Sequence, residues 1–278
     1  MDKNMEKWVA KAIEGDREAL EYILIDIRDF VFNLSLRMLG SVADAEDASQ
    51  DILVKIMTSL STFRQESQFK TWVYRIATNY LIDYKKSMFA QHPLDFDFYA
   101  NDIRAGFIDT KEELLMGVDK KVLAEELKMS CTNVMLQCLD APTRCIFILG
   151  TMFGIDSKTA GEILGMTPAN YRQKLSRARR KMAAFLSEHC GLSGGYCDCE
   201  KRIGYAAKQH RLNPQKLEFK TLKQLDSDVL MRCKASMEEI DELSTVFDEL
   251  PKYRSSLEVK QFLEQLLQSK QLKEVQHY

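Results

Sequence analysis

TPANYRQKLSRARRKM, residues 167–182, reads as a helix with a marked start, a thin apolar stripe and a dense positive charge. Thr167 fits the N-cap, and Pro168 fits the first helical position, where its missing N–H costs nothing. Tyr171, Leu175, Ala178 and Met182 recur at helical spacing, so one face can bury. Arg172, Lys174, Arg177, Arg179, Arg180 and Lys181 crowd the remainder, with no acidic residue among them. Like charges packed this closely repel one another, and DNA phosphate is the leading external anion to relieve them. The plainer alternative is a solvated basic face on a surface helix.

The preceding residues complete a unit. Asp156 or Ser157 can cap a helix carrying Ala160, Ile163 and Leu164, and Gly165 tolerates the positive φ that a helix end often requires. Helix, short glycine turn and second helix form the helix-turn-helix pattern. There the N-terminal residues of the second helix reach base edges in the major groove. Asn170, Gln173, Lys174 and Arg177 are then the reading positions. Arg172, Arg179, Arg180 and Lys181 are the phosphate grips.

The rest of the chain sets the class. Its 278 residues favour two domains over one. Twelve glycines and five prolines are few, and helix formers dominate, so the fold is all-α. The net charge of −2 conceals segregation, with a basic reader set in acidic surroundings. No apolar run approaches the ~20 residues that cross a bilayer. The N-terminus MDKNMEKWVA lacks a signal peptide's apolar core. A cytoplasmic location with seven reduced cysteines follows as the expectation. No nucleotide-binding loop, serine–histidine pair or paired carboxylates stand out, so a non-enzyme is expected.

Residues 1–86 read as one helical block. Leu20, Ile23, Leu24, Ile27, Val31, Leu34 and Met38 mark a helix that Gly40 ends. Ser41 or Asp44 opens the next, with Ala48, Ile52, Ile56 and Leu60 on its stripe. Its first turns carry Asp44, Glu46, Asp47 and Asp51. Acids there favour the helix dipole, and their density also suits a basic partner. After the break FRQES, residues 63–67, comes QFKTWVYRIATNYLIDYKK, residues 68–86, where aromatics alternate with cations. That mixture suits single-stranded DNA, because bases stack on rings while cations hold the backbone. Equally, Trp72, Ile76 and Tyr80 at helical spacing can be core.

Four segments together resemble the extracytoplasmic-function (ECF) sigma factors of bacterial RNA polymerase. They are GDREAL at 15–20, DAEDASQDI at 44–52, FKTWVYRIATNYLIDYKK at 69–86 and GIDSKTAGEILGMTPANYRQKLSRARRKM at 154–182. The resemblance implies sigma domain two over 1–86, a linker over 87–130 and sigma domain four over 131–187. It implies that Asp44, Glu46, Asp47, Gln50 and Asp51 meet the β′ clamp of core RNA polymerase, and that domain four meets the β flap. It implies that Arg64, Gln65, Glu66, Ser67 and Lys70 belong to the loop that captures a flipped base of the −10 element. Phe69, Trp72, Arg75, Asn79 and Lys86 would belong to the helix that melts and holds it. The second helix of the helix-turn-helix would read the −35 element of promoter DNA. No cofactor is required, and the linker would thread toward the polymerase cleft.

Residues 188–278 extend past the family pattern. HCGLSGGYCDCEKR, residues 189–202, offers His189, Cys190, Cys197 and Cys199 as four soft ligands for zinc or a similar metal. The C-x-C spacing is tight, and the adjacency of His189 and Cys190 strains a shared site, so a reduced cysteine turn is the plainer alternative. Cys131, Cys138 and Cys145 recur every seven residues, but Pro142 interrupts the helix that would align them, so core thiols fit better. Apolar faces over 235–250 and 256–272, broken by Pro251, suggest an αα-hairpin, with a third helix over 216–231. These faces must pack on the sigma domains in cis or on another protein. The tail is expected to be regulatory, and the expected inhibitor is either this tail in cis, replacing a separate anti-sigma protein, or such a protein itself. The rival reading is an autonomous helix-turn-helix regulator with a metal- or thiol-sensing tail.

Overall fold

The computed structural model describes residues 3–106, 115–224 and 250–268. Among them every regular element is helical: α1 (Lys3–Ile13), α2 (Arg17–Leu39), α3 (Val42–Ser59), α4 (Phe69–Ile82), α5 (Met88–Gln91), α6 (Phe96–Ala105), α7 (Lys120–Gln137), α8 (Ala141–Phe147), α9 (Ser157–Leu164), α10 (Pro168–His189), α11 (Cys199–Lys208) and α12 (Val259–Gln268). No helix among the described residues is long and apolar enough to cross a membrane.

Local chemistry sets most ends. Asp16 caps α2 by accepting the Ala19 N–H at 3.0 Å, and Gly40, at φ 81°, closes it on the Leu36 carbonyl. Ser41 then caps α3 through the Asp44 N–H at 3.1 Å. Asp140 caps α8 through the Thr143 N–H, with Pro142 in the first turn, where its missing donor is harmless. α8 runs on through a π turn over Ile148–Met152.

α2 is the central helix. Its second half, Val31 through Leu39, is buried on every side, so polar Asn33, Ser35 and Arg37 go inside with their apolar neighbours. A helix enclosed all round needs cover from several directions. α1, α3 and α4 supply one side, and α7, α8 and α12 supply the rest. One continuous core therefore links Ile23, Phe32 and Ile52 to Leu136, Phe147 and Leu186, and reaches Tyr253 and Leu263 in the tail.

Several expectations are revised. The helix expected over 68–86 stops at Ile82. The segment expected as linker holds α5, α6 and the first half of α7, and α7 runs unbroken across the boundary at 130. Residues 216–224 form turns, not a helix. Of the expected αα-hairpin, 235–249 lies outside the described residues. Residues 251–258 hold no helix, and Gln224 and Tyr253 form an antiparallel bridge before α12 begins. Cys138 and Cys145 are core thiols as read, and burial pushes both up to about 12.

Candidate nucleic-acid interface

The helix-turn-helix is assembled as its sequence indicates. Asp156 accepts the Lys158 and Thr159 N–H groups to start α9. Gly165 ends it at φ 64°, and Thr167 accepts the Asn170 N–H at 3.2 Å to start α10. Tyr171, Ala178 and Met182 are buried, and the Tyr171 hydroxyl donates to the Ile146 carbonyl at 3.2 Å. α10 is thereby fixed against α8, with Asn170, Gln173, Lys174, Arg177 and Arg180 exposed. Two expected phosphate grips have other work here. Arg179 turns inward, donating to Thr151 Oγ1 at 3.0 Å and the Gly150 carbonyl at 3.1 Å. Arg172 donates to Ser157 Oγ at 2.9 Å. Lys181 stays exposed with its ammonium 4.9 Å from the centre of the Phe96 ring.

The acidic surface lies on α3. Asp47, Gln50 and Asp51 are exposed, whereas Asp44 and Glu46 are half-buried. It adjoins α4 directly. Asp51 accepts the Tyr80 hydroxyl and pairs with Lys86 at 4.0 Å. Burial raises the Tyr80 and Tyr84 phenols, and the acids of α3 raise them further, so the α3 field reaches across α4. In the adjoining loop Arg64, Gln65 and Glu66 are exposed and Ser67 is half-buried. Gln65 takes the left-handed conformation at φ 58°. Phe69 departs from the expected contact role, because it is buried against Phe63 and half-buried Trp72. Lys70 is exposed and pairs with Asp26 at 3.2 Å, and Asn79 is exposed.

The α4 unit and the helix-turn-helix touch. Arg75 on α4 donates to the Glu162 carbonyl on α9 at 3.2 Å, with the Glu162 carboxylate 3.7 Å away. Deeper in, Arg37 donates to Asn133 Oδ1 at 2.8 Å, and Gln137 donates to the Arg37 carbonyl at 3.3 Å. Arg144 of α8 donates to the Met38 carbonyl. No carboxylate joins Arg37 in these bonds, and burial lowers its guanidinium to about 10. Sequence reading missed this group, because Arg37 sits in an apolar run with no nearby acidic partner to mark it.

The tail fastens the same surfaces. Asn33 donates to the Tyr253 carbonyl at 2.6 Å and accepts the Tyr253 N–H at 2.8 Å. Arg37 donates to the Pro251 carbonyl at 2.6 Å, and Asp29 accepts the Ser255 N–H at 3.0 Å. Ser256 donates to Glu46, on the acidic helix itself. Asp102 of α6 is buried and receives Arg202 at 3.0 Å, Tyr205 at 3.0 Å and Arg211. Its burial pushes the carboxyl up, but Arg211, Tyr205 and Arg202 outweigh that and hold it below the ordinary range. Glu126 of α7 accepts the N–H groups of Glu218, Phe219 and Lys220 at 2.6–2.9 Å.

The expected His189, Cys190, Cys197 and Cys199 ligand set is not assembled. The His189 ring packs on Phe185, with Nδ1 3.2 Å from the Tyr196 hydroxyl and Nε2 3.6 Å from Glu188. Among the described residues no group of three or more His, Cys, Asp or Glu side chains stands ready to hold a metal ion.

Comparison with known proteins matches these units. A family model for Sigma-70 region 2 matches residues 25–88, and one for Sigma-70, region 4 matches residues 129–182. The chain is 26% identical over 184 residues to the ECF RNA polymerase sigma factor SigW of Bacillus subtilis, covering 66% of this chain and 96% of that protein. It is 24% identical to the RNA polymerase sigma-H factor of Pseudomonas aeruginosa, over 62% of this chain and 88% of that protein. A solved structure of CnrH in complex with the cytosolic domain of CnrY aligns at 20% identity and a TM-score of 0.47, covering 65% of this chain and 95% of that one. Two matched regions in the right order, carrying the capped helix-turn-helix and the paired α3 and α4 surfaces, place the chain among the ECF sigma factors of bacterial RNA polymerase.

Proposed function

We propose that the acidic face of α3 docks on core RNA polymerase, that the loop at 64–67 with Lys70, Arg75 and Asn79 of α4 takes the −10 element, and that α10 reads the −35 element. We further propose that the structure is the closed, tail-held state of this sigma factor. As such a factor its partners are RNA polymerase and promoter DNA, and the chemistry belongs to the polymerase. The carrying observation is the contact between Arg75 and Glu162, which joins the −10 helix to the helix-turn-helix at 3.2 Å. Elements centred near −10 and −35 lie about 25 base pairs apart, roughly 85 Å at a rise of ~3.4 Å per base pair. One chain can hold both only after these domains part. The tail bonds Asn33, Arg37 and Glu46 on one domain and Glu126 on α7, so it opposes parting. On this reading the tail does in cis what an anti-sigma protein does from outside. Duplex binding by an autonomous regulator would leave the α3 and α4 surfaces without use.

Transcription reconstituted with core polymerase on a cognate promoter tests the assignment. Reversing two exposed acids together, Asp47→Lys with Asp51→Lys, should lower affinity for core polymerase at least tenfold, since like charges across an interface cost several kcal/mol. Duplex affinity should stay unchanged, and equal loss of both would sink the α3 assignment. On α10, Gln173→Ala or Arg177→Ala should cost about 1–3 kcal/mol and relax preference at single −35 positions. Arg180→Ala should weaken all sequences alike and reduce the salt slope by about one. Competition binding across single-base promoter variants at several salt concentrations separates the two patterns.

A further inference from the structure

α10 rests on Gly150. α8 ends in the π turn over Ile148–Met152, where the Phe153 and Ile155 N–H groups return to the Ile148 and Leu149 carbonyls at 3.0 and 2.9 Å. The next carbonyl, that of Gly150, receives Arg179 Nη2 at 3.1 Å, and Arg179 Nε donates to Thr151 Oγ1 at 3.0 Å. Thr151 is buried and Arg179 half-buried, so both bonds are partly sheltered from water. Arg179 thus satisfies the end of α8 from the neighbouring helix, as a side chain can where a backbone ladder stops.

The same glycine sets how close α10 can come. A Cβ on Gly150 would fall 2.5 Å from Leu175 Cδ2 and 2.6 Å from the Tyr171 hydroxyl oxygen, nearer than packed atoms stand. Tyr171 is itself buried and donates to the Ile146 carbonyl at 3.2 Å. Tyr171, Leu175 and Arg179 stand at i, i+4 and i+8, one stripe of α10, and all three meet the same turn of chain. A stripe held at three levels fixes both the roll of a helix and its tilt. Gln173, Lys174 and Arg177 lie off that stripe and are exposed.

We infer, on the reading of α10 as the −35 reader, that Gly150 and Arg179 form the seat that aims this helix. Arg179 is then a positioning residue for −35 discrimination and not a phosphate grip. A base contact made through hydrogen bonds depends on where the helix points, because donor and acceptor must meet a base edge of fixed geometry. A phosphate contact tolerates a small shift better, since attraction between charges falls slowly with distance. Loosening the seat therefore erodes discrimination at several −35 positions together. The charge set against phosphate, and with it the salt dependence, stays as it was.

Holoenzyme reconstituted from core polymerase and the full-length chain tests this, bound in competition to promoter fragments with single-base −35 changes across a salt series. Arg179→Lys keeps the positive charge and loses the two-point grip. It should reduce preference for the cognate −35 sequence by about fivefold or more, at several positions at once, with the salt slope unchanged. Gly150→Ala removes no charge and should give the same pattern. A fold merely weakened would lower the active fraction equally on every fragment and leave the preference unmoved. Circular dichroism establishes which variants fold, and either one suffices. Undiminished preference in the folded variants overturns the seat. So does an Arg179→Ala chain whose salt slope drops by about one with its preference intact, as a phosphate grip requires. A parent holoenzyme indifferent to the −35 sequence would instead remove the reading of α10, and the seat with it.

Discussion

Replacing Tyr253 with alanine should release the tail and raise promoter-directed initiation at least tenfold. Tyr253 is 1% exposed, its backbone is held from both sides by Asn33, and Arg37 lies 5.9 Å from its ring centre. Truncating a buried aromatic to alanine costs about 3–5 kcal/mol. Each 1.4 kcal/mol is tenfold, so tail docking should weaken by roughly two to three orders of magnitude. The loss falls on the docked state, because the other members of the α2 core keep their neighbours. Arg37 adds to the effect. Its guanidinium is buried without a carboxylate, so rehydration on opening favours release. Run-off transcription with core polymerase and limited proteolysis over 250–258 should change together. Faster cleavage with unchanged transcription would mean that the tail docks without inhibiting, and the lock would be abandoned.

Asp102→Ala should destabilise the chain by about 3–5 kcal/mol, because removing one partner of a buried pair strands the other charge. Arg202 and Asp102 have side chains 5% exposed, and the carboxylate also receives Tyr205 and Arg211. For a chain of this size the melting temperature should fall on the order of 10 °C. Hydrogen exchange should show α11 opening first, since its attachment to α6 runs through this carboxylate. Asp102→Asn keeps the shape and loses the charge, so it should fall between the two. Acid should imitate the substitution. The folded carboxyl titrates below its unfolded value, so its contribution is intact at neutral pH. It fades as pH drops through the ordinary carboxylate range near ~4 and is gone below the folded pKa. A melting temperature unmoved by Asp102→Ala, or equal acid sensitivity in that variant and the parent, would remove Asp102 from this role.

The cationic residues show how far reading by pattern reaches. Arg177 and Arg179 look alike in sequence, two positions apart on one charged helix. The structure leaves Arg177 exposed and fastens Arg179 to Thr151 and Gly150. Phe69 shares its aromatic stretch with Trp72, and both rings pack on Phe63, but only Phe69 is buried in the domain core. His189 precedes Cys190 directly, so sequence grouped them. At the end of α10 its ring follows the helix face of Phe185 while the chain turns away to carry Cys190 elsewhere. In each case the residue type was legible, and its direction depended on which neighbour the packing supplied.

What sequence alone determined is local. The all-α class, the cap at Thr167, the choice of Ser41 or Asp44 and of Asp156 or Ser157 as the caps of two more helices, and the turns at Gly40 and Gly165 all follow from short-range chemistry. A cap bonds two or three residues onward, and a helix repeats every 3.6 residues, so both leave their mark within a single window of sequence. What tertiary structure decided is who covers whom. Asn33 meets Tyr253 across 220 residues, Arg37 meets Asn133 across 96, and Asp102 meets Arg211 across 109. Periodicity says that a face will bury, but the covering surface is selected by shape and desolvation over the whole chain. For that reason the contact of α4 with α9 and the hold of residues 251–255 on α2 belong to the fold and not to any motif.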